Sequence, residues 1–282
     1  MPPIIDPRDL VARLDDPSVV VIDASVTLES PRFDGDYRVA SGESGWREQH
    51  IPGSFHVDLL TSFSDTSAAI HHTHPSAEML AADLARLGIT PASSIVLYDQ
   101  GSTMWAARLW WVLRNAGIDA QVLDGGLPLW VSLGLPVASG GADARPPISA
   151  PVLPDLGLWA DKDDVAAISR GVAPGTLICA LSAEHFAGSI PTRYSRRGHI
   201  PGSLNLSARS FLDSDGRVIP ADSRETVSPT VIYCGGGISA CLTALALTVA
   251  GHADIQIYDG SLEEWSAEMS LPLVTSPTTE DH

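Results

Sequence analysis

Short apolar runs rich in β-branched residues recur along the chain: V-V-V-I at residues 19–22, I-V-L-Y at 95–98, T-V-I-Y at 230–233 and I-Q-I-Y at 255–258. Three of them lack the polar alternation of a strand with one wet face, so these runs are predicted to be covered on both sides. Helical patterns lie between them, among them the apolar stretch C-L-T-A-L-A-L-T-V-A that begins at Cys241. Strands alternating with helices predict an α/β fold built on mostly parallel sheets with helices on both faces. In that architecture ligands sit beyond the carboxyl ends of the strands.

The pattern occurs twice. H-I-P-G-S runs from His50 to Ser54 and again from His199 to Ser203. Each copy is followed by a strand-like run, a glycine-containing loop, a helical stretch, a Gly, a second strand-like run and an Asp-Gly before a Trp. Asp99 falls opposite Cys234, Asp124 opposite Asp259 and Trp130 opposite Trp265, all at one offset, and the register reads as gapless. Two similar domains are expected, spanning 1–139 and 159–282. The Gly-, Pro- and Ala-rich stretch 140–158 between them reads as a linker.

Composition narrows the function classes. A chain of 282 residues at 44% hydrophobic can bury two ordinary cores. No run approaches the ~18 continuous apolar residues of a membrane helix, and M-P-P-I-I-D-P-R-D lacks the basic start of an export signal. No membrane partner and a cytoplasmic location are expected. Three cysteines form no disulfide framework, so Cys179, Cys234 and Cys241 read as free thiols. The net charge of -17 excludes nucleic acid as the main partner and sets a constraint on any anionic substrate. Backbone dipoles and a few arginines must attract it against the overall field.

The candidate chemistry lies at Y-C-G-G-G-I-S-A, residues 233–240. A strand that ends on a cysteine, then three glycines, then an apolar helix turns successive N–H groups and the helix's positive end toward one point. A thiolate is stabilised there, which makes Cys234 the candidate nucleophile. The backbone of Gly235, Gly236, Gly237, Ile238, Ser239 and Ala240 would form the cradle. A buried cysteine is as often a small apolar filler. Asp99 at the matching position of the first copy favours an anion site over a filler. Cys241 and Cys179, inside apolar helix and strand patterns, read as packing.

The pattern C-x-x-G-x-[ST]-A after a strand, with G-H-I-P-G-S and the late Y-D-G-S-x-E-E-W, resembles the tandem-domain sulfurtransferases of the rhodanese and 3-mercaptopyruvate sulfurtransferase group. The resemblance spans nearly the whole chain. It implies two rhodanese-like domains, the first non-catalytic and the second catalytic. It also implies a Cys234 persulfide, formed from thiosulfate or 3-mercaptopyruvate and passed to cyanide, a thiol or a protein. No cofactor or metal is implied; a thioredoxin-like reductant is a conceivable acceptor.

This chain departs from the group at the donor site. Where the family usually reads D-A-R-S-x-x-R-F, this chain reads C-A-L-S-A-E-H-F, so Cys179, Leu181 and His185 take the Asp and both Arg positions. Gly235 and Gly236 stand where thiosulfate-using members carry cations. Arg193, Arg196 and Arg197, in T-R-Y-S-R-R, are candidate substitutes, or simply a basic solvated loop. A protonated His185 would add to them. His72, in H-H-T-H-P-S-A-E with His71 and His74, matches a family histidine that faces the active cleft, with Asp58 and Asp65 upstream. A metal at these histidines finds no companion ligand in the sequence. A cysteine phosphatase would need an arginine six residues after the nucleophile, where Ala240 stands. A sulfur carrier or interaction module that keeps Cys234 without efficient turnover remains the alternative.

Overall fold

The structure, a computed structural model, describes residues 1–90, 92–142, 145–221 and 228–275. Its contacts divide the chain into two units. The first comprises Met1–Thr27, Ala40–Leu156 and Leu212–Ile219; the second comprises Leu28–Val39, Gly157–Phe211 and Pro220–His282.

In the first half of the sequence the strands are β1 (Ile4–Ile5), β2 (Val19–Asp23), β3 (Val26–Leu28), β4 (Val39–Ser41), β5 (Phe55–His56), β6 (Ser94–Tyr98) and β7 (Ala120–Leu123). The helices among them are α1 (Pro7–Val11), α2 (Glu43–Glu48), α3 (Ala77–Arg86), α4 (Met104–Asn115) and α5 (Gly126–Ser132). The first unit's sheet has the order β1-β7-β6-β2-β5, and every pairing in it is parallel. β7 is buried along its whole length and β6 at all but its first residue, as expected of strands covered on both faces.

The second unit repeats this plan with β8 (Trp159–Ala160), β9 (Thr176–Cys179), β10 (Leu204–Asn205), β11 (Thr230–Tyr233) and β12 (Ile255–Tyr258). Its helices are α6 (Lys162–Ser169), α7 (Ala183–Ala187), α8 (Ile238–Val249) and α9 (Ser261–Ala267). The order β10-β9-β11-β12-β8, again parallel throughout, is the first sheet read from its other edge.

The repeated motifs turn out to be braces. Tyr98, the last residue of β6, has its hydroxyl 2.9 Å from Ser54 Oγ and accepts the Ile51 N–H. Tyr233, the last residue of β11, donates to Ser203 Oγ at 2.8 Å and accepts the Ile200 N–H at 3.0 Å. H-I-P-G-S thus clamps the end of the strand that leads into Asp99 or Cys234. Trp130 and Trp265 are fully buried, and each indole donates to the carbonyl of a later proline, Pro136 at 2.7 Å and Pro272 at 2.8 Å.

Two sequence expectations need revision. The register between the copies is not gapless: Asp99 and Cys234 are 135 residues apart, but α4 and α8 begin 134 apart, as do Gly117 and Gly251. The loop after the strand is one residue shorter in the second copy, and the connection from helix to strand is one longer. Also, a linear division of the chain misses two excursions. Segment 28–39 belongs to the second unit, where Asp34 accepts from Thr192 N and Arg197 Nε, and Gly35 N donates to Thr192 O. Segment 212–219 belongs to the first, where Arg217 bonds Asp6 at 3.1 Å and Asp124 at 2.9 Å. Within the expected linker, residues 143 and 144 lie outside the described residues. Ile148 and Leu156 there donate to the Ala85 and Asn115 carbonyls.

Candidate active site

The loop after β6 shows what this turn is built to hold. The Asp99 carboxylate is 2% exposed and accepts four backbone N–H groups: Gly101 at 3.0 Å, Thr103 at 2.9 Å, Trp105 at 3.0 Å and Ala106 at 3.3 Å. Burial above all raises the Asp99 pKa, against the amides of Gly101, Thr103 and Ala106, which lower it, and the charge of Asp23 adds to the rise. The turn of the first unit thus surrounds a carboxyl group of the chain itself with backbone amides.

In the second unit the same turn carries Cys234, 2% exposed and directly after β11. By the helix register, Ser239 and Ala240 are the counterparts of Trp105 and Ala106. Gly235, Gly236 and Ser239 are half-buried, so the loop opens on that side. Gly237 caps α8 at φ 75°, a left-handed conformation natural to glycine, whereas its counterpart Thr103 reaches φ 60°. Ser261 fixes the loop from below: its Oγ accepts the N–H of Cys234 and of Gly237, each at 3.1 Å, and donates to Tyr258 O at 2.8 Å. Leu262 N and Glu263 N donate to the carbonyls of Cys234 and Gly235. The Gly237 amide, expected in the cradle, is thus spent on Ser261. Sequence reasoning missed Ser261, although the D-G-S of the second copy against D-G-G of the first marks it.

Around this loop the second unit gathers Arg193, His185, Tyr37, Tyr194 and Glu263. Arg193 donates to the Glu29 carbonyl through Nε at 3.0 Å and through Nη2. Burial and the charge of Arg38 lower its pKa, while Tyr37, Tyr194 and Cys234 raise it. Of the three arginines of this loop, it is the one whose titration Cys234 influences. A Glu263 carboxylate oxygen lies 3.4 Å from where a Gly236 Cβ would stand. An acidic group at the loop opposes a second negative charge on any donor.

A model of the rhodanese-like domain matches residues 6–133 and 189–268. The chain belongs to the rhodanese family. A Pseudomonas aeruginosa protein named "Probable 3-mercaptopyruvate sulfurtransferase" is 31% identical over 96% of this chain and 98% of its own. Thiosulfate/3-mercaptopyruvate sulfurtransferase 2 of Arabidopsis thaliana is 31% identical over 97% of this chain and 87% of its own. The crystal structure of SseA from Escherichia coli superposes with a TM-score of 0.77 at 26% identity, covering 93% of this chain and 99% of SseA.

Within this rhodanese the remaining sequence candidates fall in different places. Arg196 is spent on structure: Nε donates to Ser266 O at 2.7 Å, Nη1 to Leu271 O at 3.1 Å, and Nη2 to Trp265 O and Glu268 O. It caps the carboxyl end of α9, where orphan carbonyls welcome a cation. Arg197 pairs with Asp34 at 2.9 Å. His185, on α7, faces Ser182 Oγ through Nδ1 at 3.0 Å, and burial followed by the Arg193 charge lowers its pKa. That direction works against the protonated His185 that would add to the cationic groups. His72 belongs to the first unit, edge-on to Trp105 at 5.0 Å, and its carbonyl accepts from Arg108. Asp65 there is held below the usual carboxylate range by Ser67. Cys179 is fully buried, and burial pushes its thiol up to about 12. Cys241 is buried in α8, with Sγ 3.1 Å from Gly237 O. Among the described residues no helix is long and apolar enough to cross a membrane.

Proposed function

We propose that this rhodanese is a sulfurtransferase that carries sulfur on Cys234, taking it from thiosulfate or 3-mercaptopyruvate and giving it to cyanide, a thiol or a protein. The observation that supports the reading is that Cys234 stands where the first unit has Asp99, whose buried carboxyl group accepts hydrogen bonds from the amides of its turn. A thiolate, or the anionic outer sulfur of a persulfide, fills the place of the carboxylate.

The steps balance. The Cys234 thiolate attacks the outer sulfur of thiosulfate; the S–S bond of the donor breaks, and sulfite leaves with the electron pair. With 3-mercaptopyruvate the carbon–sulfur bond breaks, the pair passes to the enolate, and the former thiol proton ends on carbon to give pyruvate. Cyanide then attacks the outer sulfur of the persulfide, thiocyanate leaves, and the thiolate returns. Arg193 binds the donor's anionic group in the first step. Glu263 near Gly236 disfavours the dianion, so the monocarboxylate 3-mercaptopyruvate is the better donor of the two.

A mechanism through a covalent persulfide predicts ping-pong kinetics. Initial rates measured against donor concentration at several cyanide concentrations should give parallel double-reciprocal lines. Intersecting lines would mean that both substrates bind before sulfur moves.

A further inference from the structure

Tyr194 packs against the loop that follows β11. Tyr194 is 6% exposed and sits in the second unit's core, and its hydroxyl has no hydrogen-bond partner among the described residues. The neighbouring Tyr233 hydroxyl, by contrast, is bonded twice. A buried hydroxyl left without a partner is rare enough to need a reason, and completion by a ligand is one such reason.

The side chain's surroundings point to the ligand. Its ring edge lies 3.5 Å and 3.8 Å from where a Gly235 Cβ would stand, so it packs on the residue directly after Cys234. Its backbone is held in place, because Thr192 Oγ donates to the Tyr194 carbonyl at 2.9 Å and Thr192 N to Asp34 at 3.0 Å. Burial and the charges of Cys179 and Cys234 push phenol ionisation upward, so Tyr194 keeps its proton and acts only as a neutral donor or acceptor. In the reduced protein Cys234 Sγ is not within bonding reach of it. A persulfide extends the chain from Sγ by one sulfur, about 2 Å further.

We propose that Tyr194 is a catalytic residue whose hydroxyl donates a hydrogen bond to the outer sulfur of the Cys234 persulfide. This rests on the sulfur-transfer reading. The tyrosine gives up no proton; it stabilises the anionic outer sulfur between the two half-reactions and completes its own hydrogen bonding only in the loaded enzyme.

The test uses Tyr194→Phe, which removes the hydroxyl and keeps the ring. Wild type and variant are loaded with 3-mercaptopyruvate, checked by mass for the added sulfur, and assayed for transfer to cyanide across pH. The other charges that bear on Cys234 and Tyr194, from Cys179, Arg193 and Asp34, stay in both proteins. Loss of a donor to the anionic sulfur should move the low-pH limb of the transfer profile upward by about one unit, and loading should raise the melting temperature of wild type more than that of the variant. The reduced variant should melt no lower than reduced wild type, because the hydroxyl it loses has no partner. Equal pH profiles and equal loading shifts in two proteins that both carry the persulfide would overturn the role of Tyr194 alone. No added sulfur in wild type would overturn the sulfur-transfer reading and this proposal with it.

Discussion

Cys234→Ser should fold normally and lose sulfur transfer below detection. The loop does not depend on the thiol: Ser261 holds the Cys234 amide, and the Cys234 carbonyl accepts from Leu262. The substitution keeps the size of a side chain that is 2% exposed. What it removes is the sulfur atom, which as a nucleophile can form a sulfur–sulfur bond. A serine hydroxyl would need a general base, and the nearby His185 is bonded to Ser182 instead. The loss should exceed about a thousand-fold in kcat, read as thiocyanate formed at saturating donor and cyanide, with an unchanged far-ultraviolet spectrum. Activity near wild type would remove Cys234 from the mechanism and turn attention to Cys179 or Cys241.

Arg193→Ala should raise the donor KM by about ten- to one-hundred-fold while kcat falls little, the equivalent of losing one charge-assisted hydrogen bond of roughly 1.5 to 3 kcal/mol. The prediction singles out this arginine because of how its neighbours are used. Leu181 is apolar, burial and the Arg193 charge disfavour protonation of His185, Arg196 caps α9 and Arg197 pairs with Asp34. Arg193 keeps donors beyond those that meet the Glu29 carbonyl, and Cys234 influences its titration. Arg196→Ala is the contrasting variant. It should leave the donor KM unchanged and lower the melting temperature by several degrees, because the carbonyls of Trp265, Ser266, Glu268 and Leu271 lose their partner, at a cost of about 2 kcal/mol. If both variants shift KM equally, the separation of a binding arginine from a capping one is wrong.

The apolar runs and the H-I-P-G-S repeat made the doubled parallel α/β plan legible, because strands buried on both faces leave an unbroken hydrophobic signature. The position of Cys234 beyond a strand was legible for the same reason. The uses of the arginines were not. Three cations in five residues look alike in sequence, and only the folded chain shows that Arg196 meets carbonyls some 70 residues onward while Arg193 meets Glu29, 164 residues back. The segment Leu28–Val39 that supplies Tyr37 and Asp34 to the second unit carries no marker of its destination. The one-residue difference between the two catalytic-type loops was hidden because a compensating residue after the helix restores the offset at Asp124 and Asp259. Tyr194 was invisible because an unpartnered hydroxyl is a property of the fold and not of the residue type.

The most direct measurement is the intact mass of the reduced protein, and of its Cys234 peptide, after separate incubation with 3-mercaptopyruvate and with thiosulfate followed by removal of the donor. The account predicts one added sulfur, located on Cys234 and removed by cyanide, forming more readily with 3-mercaptopyruvate. No added sulfur with either donor, or a sulfur carried on Cys179 or Cys241, would contradict it.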